Sequence, residues 1–321
     1  MSLILTVTAN VAIDKTVTVP NLQLGHRHRA QLGVVMAGGK GINVARALRR
    51  LDHPVIATGL VGGRTGDQVV DAVREEGITN DFVRIAGESR TSTVLVDPTN
   101  GVQTEINEYG PEVTPAEVEQ LLAKIRYLSS SAAMVVLAGS LPRKVDTGVY
   151  AELVRELGRR RVPVAVDTDG EPLRLAVAAE PALVSPNQRE AEMLVGHEFQ
   201  TDEDFQDGLR AIASMGAQSV LITLKTGCYA LVRTGKREQL FRAWVPRVDE
   251  VSAVGSGDAL LAGYLSGLCI GKPVEECLRT AVACGAANTR IVGAGVFEPR
   301  ELPELSALVE VQEIATRARA G

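Results

Sequence analysis

The sequence predicts an α/β layered domain carrying a small separate β-sheet. Three observations carry that prediction. Short β-branched runs alternate with helical periodicity over most of the chain, the pattern of stacked strand and helix layers. Several of those runs are apolar on both faces, as a buried parallel sheet requires. Two stretches, 14–35 and 90–108, are rich in Thr, Val and polar residues with no helical pattern inside them, and read as strands of their own.

Taken in order, residues 3–8 form the first strand. Residues 14–35 begin the small sheet. The cluster Ala37-Gly38-Gly39-Lys40-Gly41-Ile42-Asn43-Val44-Ala45 is a loop feeding a helix, because Ile42, Ala45 and Leu48 open an apolar face. Residues 55–61 are the next strand. Val94-Leu95-Val96 runs into Asp97-Pro98-Thr99-Asn100-Gly101, turn chemistry at the tip of a hairpin. Thr114-Pro115-Ala116-Glu117 is a helix start: Thr caps, Pro fits the first helical position, and Glu closes a capping box. Leu121, Leu122 and Ile125 supply its apolar face. Strands follow at 134–138, 162–166, 182–185 and 220–224. A helix at 201–215 places Phe205, Leu209 and Ile212 on one side. A last one starts near Gly257, with Leu260, Leu261, Tyr264, Leu265 and Leu268 at helical spacing. No repeat, low-complexity tract or long linker interrupts the pattern. Residues 1–321 are therefore expected to be one α/β domain, with a lid from about 14–35 and 90–108.

Composition excludes several classes. At 45% hydrophobic and 23% charged, the chain of 321 residues is not a disordered one. Its net charge of −5 lacks the cationic field that gripping nucleic acid needs. Five Phe, five Tyr and one Trp are too few to make base stacking the main chemistry. The longest weakly polar run, about 259–271, falls short of the roughly 20 residues that span a bilayer. The start, Met1-Ser2-Leu3-Ile4-Leu5, has no basic n-region or small-residue cleavage site, so no signal peptide is read and a cytoplasmic location is expected. Cys228, Cys269, Cys277 and Cys284 form no CxxC pair and have no His at metal spacing, which predicts reduced, mostly buried thiols.

Four loops could carry chemistry, and each also has a plain structural alternative. Val254-Gly255-Ser256-Gly257-Asp258 lies at a helix N-terminus, where unpartnered amides and the positive dipole end favour an anion. Asp258 in that first turn can accept a hydroxyl proton while the amides hold phosphoryl charge. The alternative is a glycine turn with Asp complementing the dipole. In the second glycine cluster, Gly38, Gly39 and Gly41 allow close approach of a ligand, and Lys40 and Asn43 offer polar contacts. Its spacing is not that of a Walker A loop, and it could equally be a tight turn with a solvated Lys. Asp14 follows the first strand, at the end where open α/β sheets bind ligands, but turn Asp is common there too. Asn187 and Glu190 sit one helical turn apart at a strand exit, suited to a water-mediated Mg²⁺ site or to a simple helix cap.

Together and in this order, these segments resemble the ribokinase-like sugar kinases of the PfkB group. The resemblance runs from Thr8 to about Gly295. Thr8-x-Asn10-x-Ala12-x-Asp14, Gly38-Gly39-Lys40-Gly41-Ile42-Asn43-Val44-Ala45, Gly139-Ser140-Leu141-Pro142, Asn187-x-x-Glu190 and Gly255-Ser256-Gly257-Asp258 carry it. It implies a central, mostly parallel sheet flanked by helices, with a small β lid that often forms the dimer contact. By this resemblance Asp258 is the catalytic base, and Gly255, Ser256 and Gly257 form the anion hole. Asp14, Gly38, Gly39, Lys40 and Asn43 line the sugar site. Asn187 binds nucleotide phosphates and Glu190 organises Mg²⁺ through water. Lys225 and Gly227 lie near the nucleotide loop, and Asn288 near the adenine. The wording of the second glycine cluster and Gly-Ser-Leu-Pro are most similar to the hexose-phosphate branch, which contains 1-phosphofructokinase and tagatose-6-phosphate kinase. Such a substrate needs cations, for which Lys40 and Arg90 are the first candidates and Arg27 and Arg143 the weaker ones.

The chain also departs from the group's pattern. Val11 replaces a Pro, Ser185 a Lys, Ala253 a Thr and Ser256 an Ala, and Lys225-Thr226-Gly227 is poorer in glycine than the usual nucleotide loop. The function implied is ATP- and Mg²⁺-dependent phosphorylation of a ketohexose monophosphate: fructose 1-phosphate, fructose 6-phosphate or tagatose 6-phosphate. The partners implied are the sugar phosphate, ATP and a second copy through the lid, with no nucleic acid and no membrane. The alternatives are a kinase of the same fold for an unphosphorylated sugar or nucleoside, and a non-catalytic sensor of sugar phosphate or nucleotide.

Overall fold

A computed structural model describes residues 2–235, 237–246 and 251–318. Its main sheet is built outward from Ile4–Thr8, which lies between Val55–Gly62 and Met134–Ala138 with Ile4 opposite both Val55 and Met134. Val164–Asp167, Leu183–Val184 and Val220–Leu224 continue it, all in parallel. Ile4–Thr8 and Met134–Ala138 are buried at every residue, the physical reason Met134–Ala138 is apolar without alternation, while Ile4–Thr8 also buries Thr6 and Thr8. Odd and even positions feed two cores. Ile4, Ala57 and Val136 pack under helices that contribute Ile42, Val69, Leu261 and Leu278. Leu5, Val7 and Val135 pack under those that contribute Leu121, Leu153, Leu173 and Leu209.

Beyond Val220–Leu224 the sheet turns antiparallel, through Gly227–Thr234, Arg237–Trp244 and Glu310–Ala318. The sequence reading had no strand there. The resemblance made 225–230 a nucleotide loop, yet Cys228, Tyr229, Ala230, Leu231 and Val232 are apolar and buried as a sheet strand requires. Thr79–Asn80 and Val83–Ile85, which pair in parallel with Val55–Gly62, were not expected either, and 19–31 interrupts the stretch 14–35; the remaining strands differ from expectation only at their ends.

The small sheet has the order Leu32–Gly38, Ala12–Thr18, Arg90–Asp97, Val102–Asn107. Ala12–Thr18 pairs antiparallel with the first and parallel with Arg90–Asp97. The hairpin closes with Asp97 opposite Val102. The Asp97 carboxylate accepts from the amides of Asn21 and Leu22, both at 2.9 Å, which pins the hairpin tip to the neighbouring loop. One face of this sheet carries Asp14, Thr16, Met36, Arg90, Ser92 and Glu105 toward the cleft described below. The other face exposes Val35 (61%), Ile106 (56%) and Val102 (52%).

The helix starts follow local chemistry. Thr114 and Glu117 exchange both arms of a capping box, with Thr114 N donating to Glu117 at 2.8 Å. Thr201 and Asp204 do the same ahead of Asp202–Ser214. Cys228, Cys277 and Cys284 are buried and Cys269 partly so, and none of the four is in a disulfide. Burial pushes the Cys228 thiol up to about 12, which makes it an inert apolar filler. No helix of the described residues is long and apolar enough to cross a membrane.

Candidate active site

A cleft of about 850 Å³ opens at the carboxyl ends of the parallel strands, under the inner face of the small sheet. This is where open α/β sheets hold ligands, since the loops leaving the strands diverge there. It gathers Asp14, Gly39, Lys40, Asn43 and Arg90 with Asn187, Glu190, Lys225 and the run from Gly255 to Asp258. Gly227 lines an adjoining pocket of about 230 Å³, walled by Leu260, Val282 and Val245 and shared with Lys225 and Ser256.

Asp258 sits in the first turn of the helix Ser256–Leu268. Gly255 caps it at φ 77°, a left-handed conformation, and a Cβ there would lie 2.4 Å from Ala294 Cα. Only glycine fits both demands. The turn leaves first-turn amides without an intrahelical acceptor. The Asp258 carboxyl is 7% exposed and accepts from Asn43 Nδ2 at 2.8 Å. Burial pushes it up to about 7 and the Asp167 charge adds to that; the Lys40 charge and the Asn43 hydrogen bond pull the other way. A carboxylate poised near neutrality is suited to taking a proton in mid-reaction.

Asp14 lies against Gly38, where a Cβ would sit 2.1 Å from the Asp14 Cγ, so this glycine makes room for the carboxyl rather than lining the cleft itself. Burial raises Asp14, and the charges of Arg90 and Arg46 oppose that rise. Arg90 is anchored by the carbonyls of Asn10 (3.4 Å) and Glu108 (3.1 Å).

Lys40 behaves differently from expectation. The sequence reading set it against a substrate phosphate. In the structure its ammonium lies 2.7 Å from Asp167 and 3.3 Å from Glu190. Burial disfavours that ammonium, but the charges of Asp167, Glu190 and Asp258 outweigh burial and hold it above its ordinary range. Asn187 and Glu190 do form a helix cap, with 2.9 Å bonds in both directions. The cap uses Glu190 Oε2 and leaves Oε1 to face Lys40.

Three placements differ from the sequence reading. Asn288 is not among the described residues that line either pocket. It is fully buried, donating to Val254 O at 2.9 Å and accepting from Val296 N at 3.0 Å, so it ties two loops together. Arg27 and Arg143 are not among the described residues lining the cleft either. Arg143 instead donates to Gly110 O at 3.0 Å. Two residues were missed. Asp167 ends the strand Val164–Asp167, and its position at a carboxyl strand end was the available signal. Arg46 is 3% exposed and lines the cleft, yet in sequence it looks like any helix-surface arginine. Thr8 Oγ1, Asn10 Oδ1 and Ser185 Oγ are buried without partners on lining residues, as in a site whose hydrogen bonds a ligand completes.

The comparisons with known proteins agree with this geometry. The profile of the pfkB family carbohydrate kinases matches residues 5–300. The 1-phosphofructokinase of Borreliella burgdorferi is 30% identical over 314 residues, 98% of this chain and 100% of that protein. That of Bacillus subtilis is 32% identical over 305 residues, 94% of this chain and 98% of that one. The structure of phosphofructokinase-2 from Escherichia coli in complex with fructose-6-phosphate superposes with a TM-score of 0.85 at 26% identity, covering 96% of this chain and 99% of that one. The fold is that of a carbohydrate kinase. Within that class the chain belongs to the pfkB family.

Proposed function

We propose that the protein transfers the γ-phosphoryl group of ATP to a free hydroxyl of a ketohexose monophosphate, with Asp258 as general base. The observation that carries this reading is Asp258 itself. It is buried at a glycine-capped helix N-terminus, held by Asn43, and displaced toward neutrality inside the one cleft that also holds Asp14 and Arg90. Asp258 takes the hydroxyl proton, and the amides of the first turn stabilise the transferring phosphoryl group. Asp14 and Asn43 orient the sugar, and Arg90 pairs with its phosphate through its planar fork. The 230 Å³ pocket beside Gly227, apolar on most walls, suits the nucleotide base. The names of the relatives favour fructose 1-phosphate among the three ketose phosphates.

The residues present fit Mg²⁺ arriving with ATP. No group of three His, Cys, Asp or Glu able to hold a metal occurs among the described residues. Asp167 and Glu190, however, are close enough to share one ammonium. One or two carboxylates plus phosphate oxygens and water are what magnesium ordinarily takes. Bound there it would neutralise triphosphate charge. The small sheet acts as the lid, excluding water and limiting ATP hydrolysis. Its exposed outer face of Val35, Val102 and Ile106 is the contact for a second copy.

The test is ADP release with Mg-ATP across fructose 1-phosphate, fructose 6-phosphate, tagatose 6-phosphate, the free sugars and a nucleoside. Turnover of one ketose phosphate, abolished by Asp258→Asn, is the expected result. Turnover of a free sugar alone removes the phosphate role of Arg90. ATP binding without turnover on any of them favours the sensor.

A further inference from the structure

Arg46 lies one helical turn beyond Asn43, in the helix Lys40–Arg50. Its guanidinium is buried and makes five hydrogen bonds. Glu76 accepts two, from Nε (2.5 Å) and Nη2 (2.9 Å). The carbonyl of Ala37 accepts from Nη2 at 2.6 Å and that of Ala294 from Nη1 at 2.8 Å. The fifth runs from Nη1 to Asn43 Oδ1 at 3.0 Å, and the other end of that amide donates to Asp258 Oδ2 at 2.8 Å.

The chemistry of this line has one solution. A guanidinium only donates, and a carboxylate only accepts. The Asn43 amide must therefore turn its oxygen to Arg46 and its nitrogen to Asp258. Flipped, it would set donor against donor at one end and oxygen against carboxylate at the other. We infer that Arg46 is a positioning residue for the phosphoryl-transfer reaction: it locks the Asn43 amide in the orientation that donates to Asp258, and so sets the pH below which the base fails. The inference rests on the reading of Asp258 as base. Arg46 also joins three parts of the cleft. Ala37 leads into Gly38 and the lid, Asn43 belongs to the helix, and Ala294 is the residue against which Gly255 packs. Glu76 holds the guanidinium from outside the cleft, with its carboxylate bridging two of the three guanidinium nitrogens.

The charged groups acting on Asp258 are Asp167, Lys40 and Asp14, and Arg46 acts in turn on Asp14. Arg46→Lys keeps the positive charge and removes the fork, so it separates amide orientation from field. The measurement is the acid limb of kcat/KM for the ketose phosphate, with Asn43→Ala, the double variant and Asp258→Asn alongside. The acid limb of Arg46→Lys is expected to move up by roughly 0.5 to 1 pH unit, the size of a lost hydrogen bond to the charged form. Asn43→Ala should move it as far, and the double variant no further, because both act through one contact. A folded Arg46→Lys with an unmoved limb overturns the inference, and so do additive shifts. Near-normal turnover by Asp258→Asn removes the base itself and is a separate failure. Should Arg46→Lys not fold, Glu76→Gln loosens the same fork from outside the cleft. Its limb should move up as well, and an unmoved one overturns the proposal equally.

Discussion

Replacing Asp258 by Asn should abolish turnover and raise stability together. The structure supplies the magnitude. Burial and the Asp167 charge lift this carboxyl from 3.8 to about 7. A carboxyl raised in the folded state binds its proton more tightly there than in the unfolded chain. Its contribution is fully present below the unfolded value and is lost as pH rises through the folded one. At pH 8 the ionised group thus costs the fold up to about 4 kcal/mol, from three units at about 1.4 kcal/mol each. Asn removes the charge and still accepts from Asn43. With about 2 cal/mol/K of unfolding entropy per residue, about 4 kcal/mol is about 6 °C in Tm for a chain of 321 residues. By pH 5 the native carboxyl is protonated, and the advantage of Asn should shrink to roughly 2 °C. The assay is calorimetry of both proteins at pH 5 and 8, beside kcat, which should fall roughly 10²- to 10⁴-fold. An Asn variant less stable than the native protein at pH 8 would refute the argument that Asp258 is a strained buried charge. One that keeps near-normal kcat would refute its role as base.

Four further outcomes can be checked. The kcat/KM of the native protein should fall as pH drops through about 7, because the base works only when deprotonated; a profile flat from pH 6 to 8 contradicts this. Arg90→Ala should raise KM for the ketose phosphate about tenfold or more with a smaller change in kcat, and an unchanged KM removes Arg90 from the phosphate site. Gly255→Ala puts a Cβ 2.4 Å from Ala294 Cα at φ 77°, so it should lower kcat by roughly 10²-fold, comparable to losing an anion-hole donor; a silent substitution shows that the loop tolerates the shift. Val35→Lys with Ile106→Lys should dissociate a lid-mediated dimer in sedimentation, and a native protein that is already monomeric refutes that contact.

Much of what depends on neighbours a few residues apart was legible before the structure. The mostly apolar, β-branched runs at 3–8 and 134–138 announce buried parallel strands because both faces are covered. Thr114-Pro115-Ala116-Glu117 announces a helix because its cap is closed within one turn. Gly255-Ser256-Gly257-Asp258 announces a glycine loop at a helix start because the apolar spacing begins just after it, whereas the left-handed φ of Gly255 is a finding of the structure. The resemblance carried by five ordered motifs extended this to a kinase family and named part of the cleft, including Asp14, Asn43, Glu190 and Asp258. Tertiary structure decided which charges meet. Lys40 and Asp167 are 127 positions apart, and their 2.7 Å contact depends on how strand ends line up across the sheet. Arg46 reaches Ala294 across 248 positions, turning a helix arginine into a buried clamp. Asn288 lies near the expected loops, but packing has turned its amide to Val254 and Val296. The hairpin of Gly227–Thr234 and Arg237–Trp244 is local, with Thr234 opposite Arg237, and was nevertheless missed; only the pairing of Arg237–Trp244 with Glu310–Ala318 spans a distance that no short window displays. Local conformational preference is set by the chain within a few residues, whereas charge pairing and burial are set by distances in space, which only the folded arrangement determines.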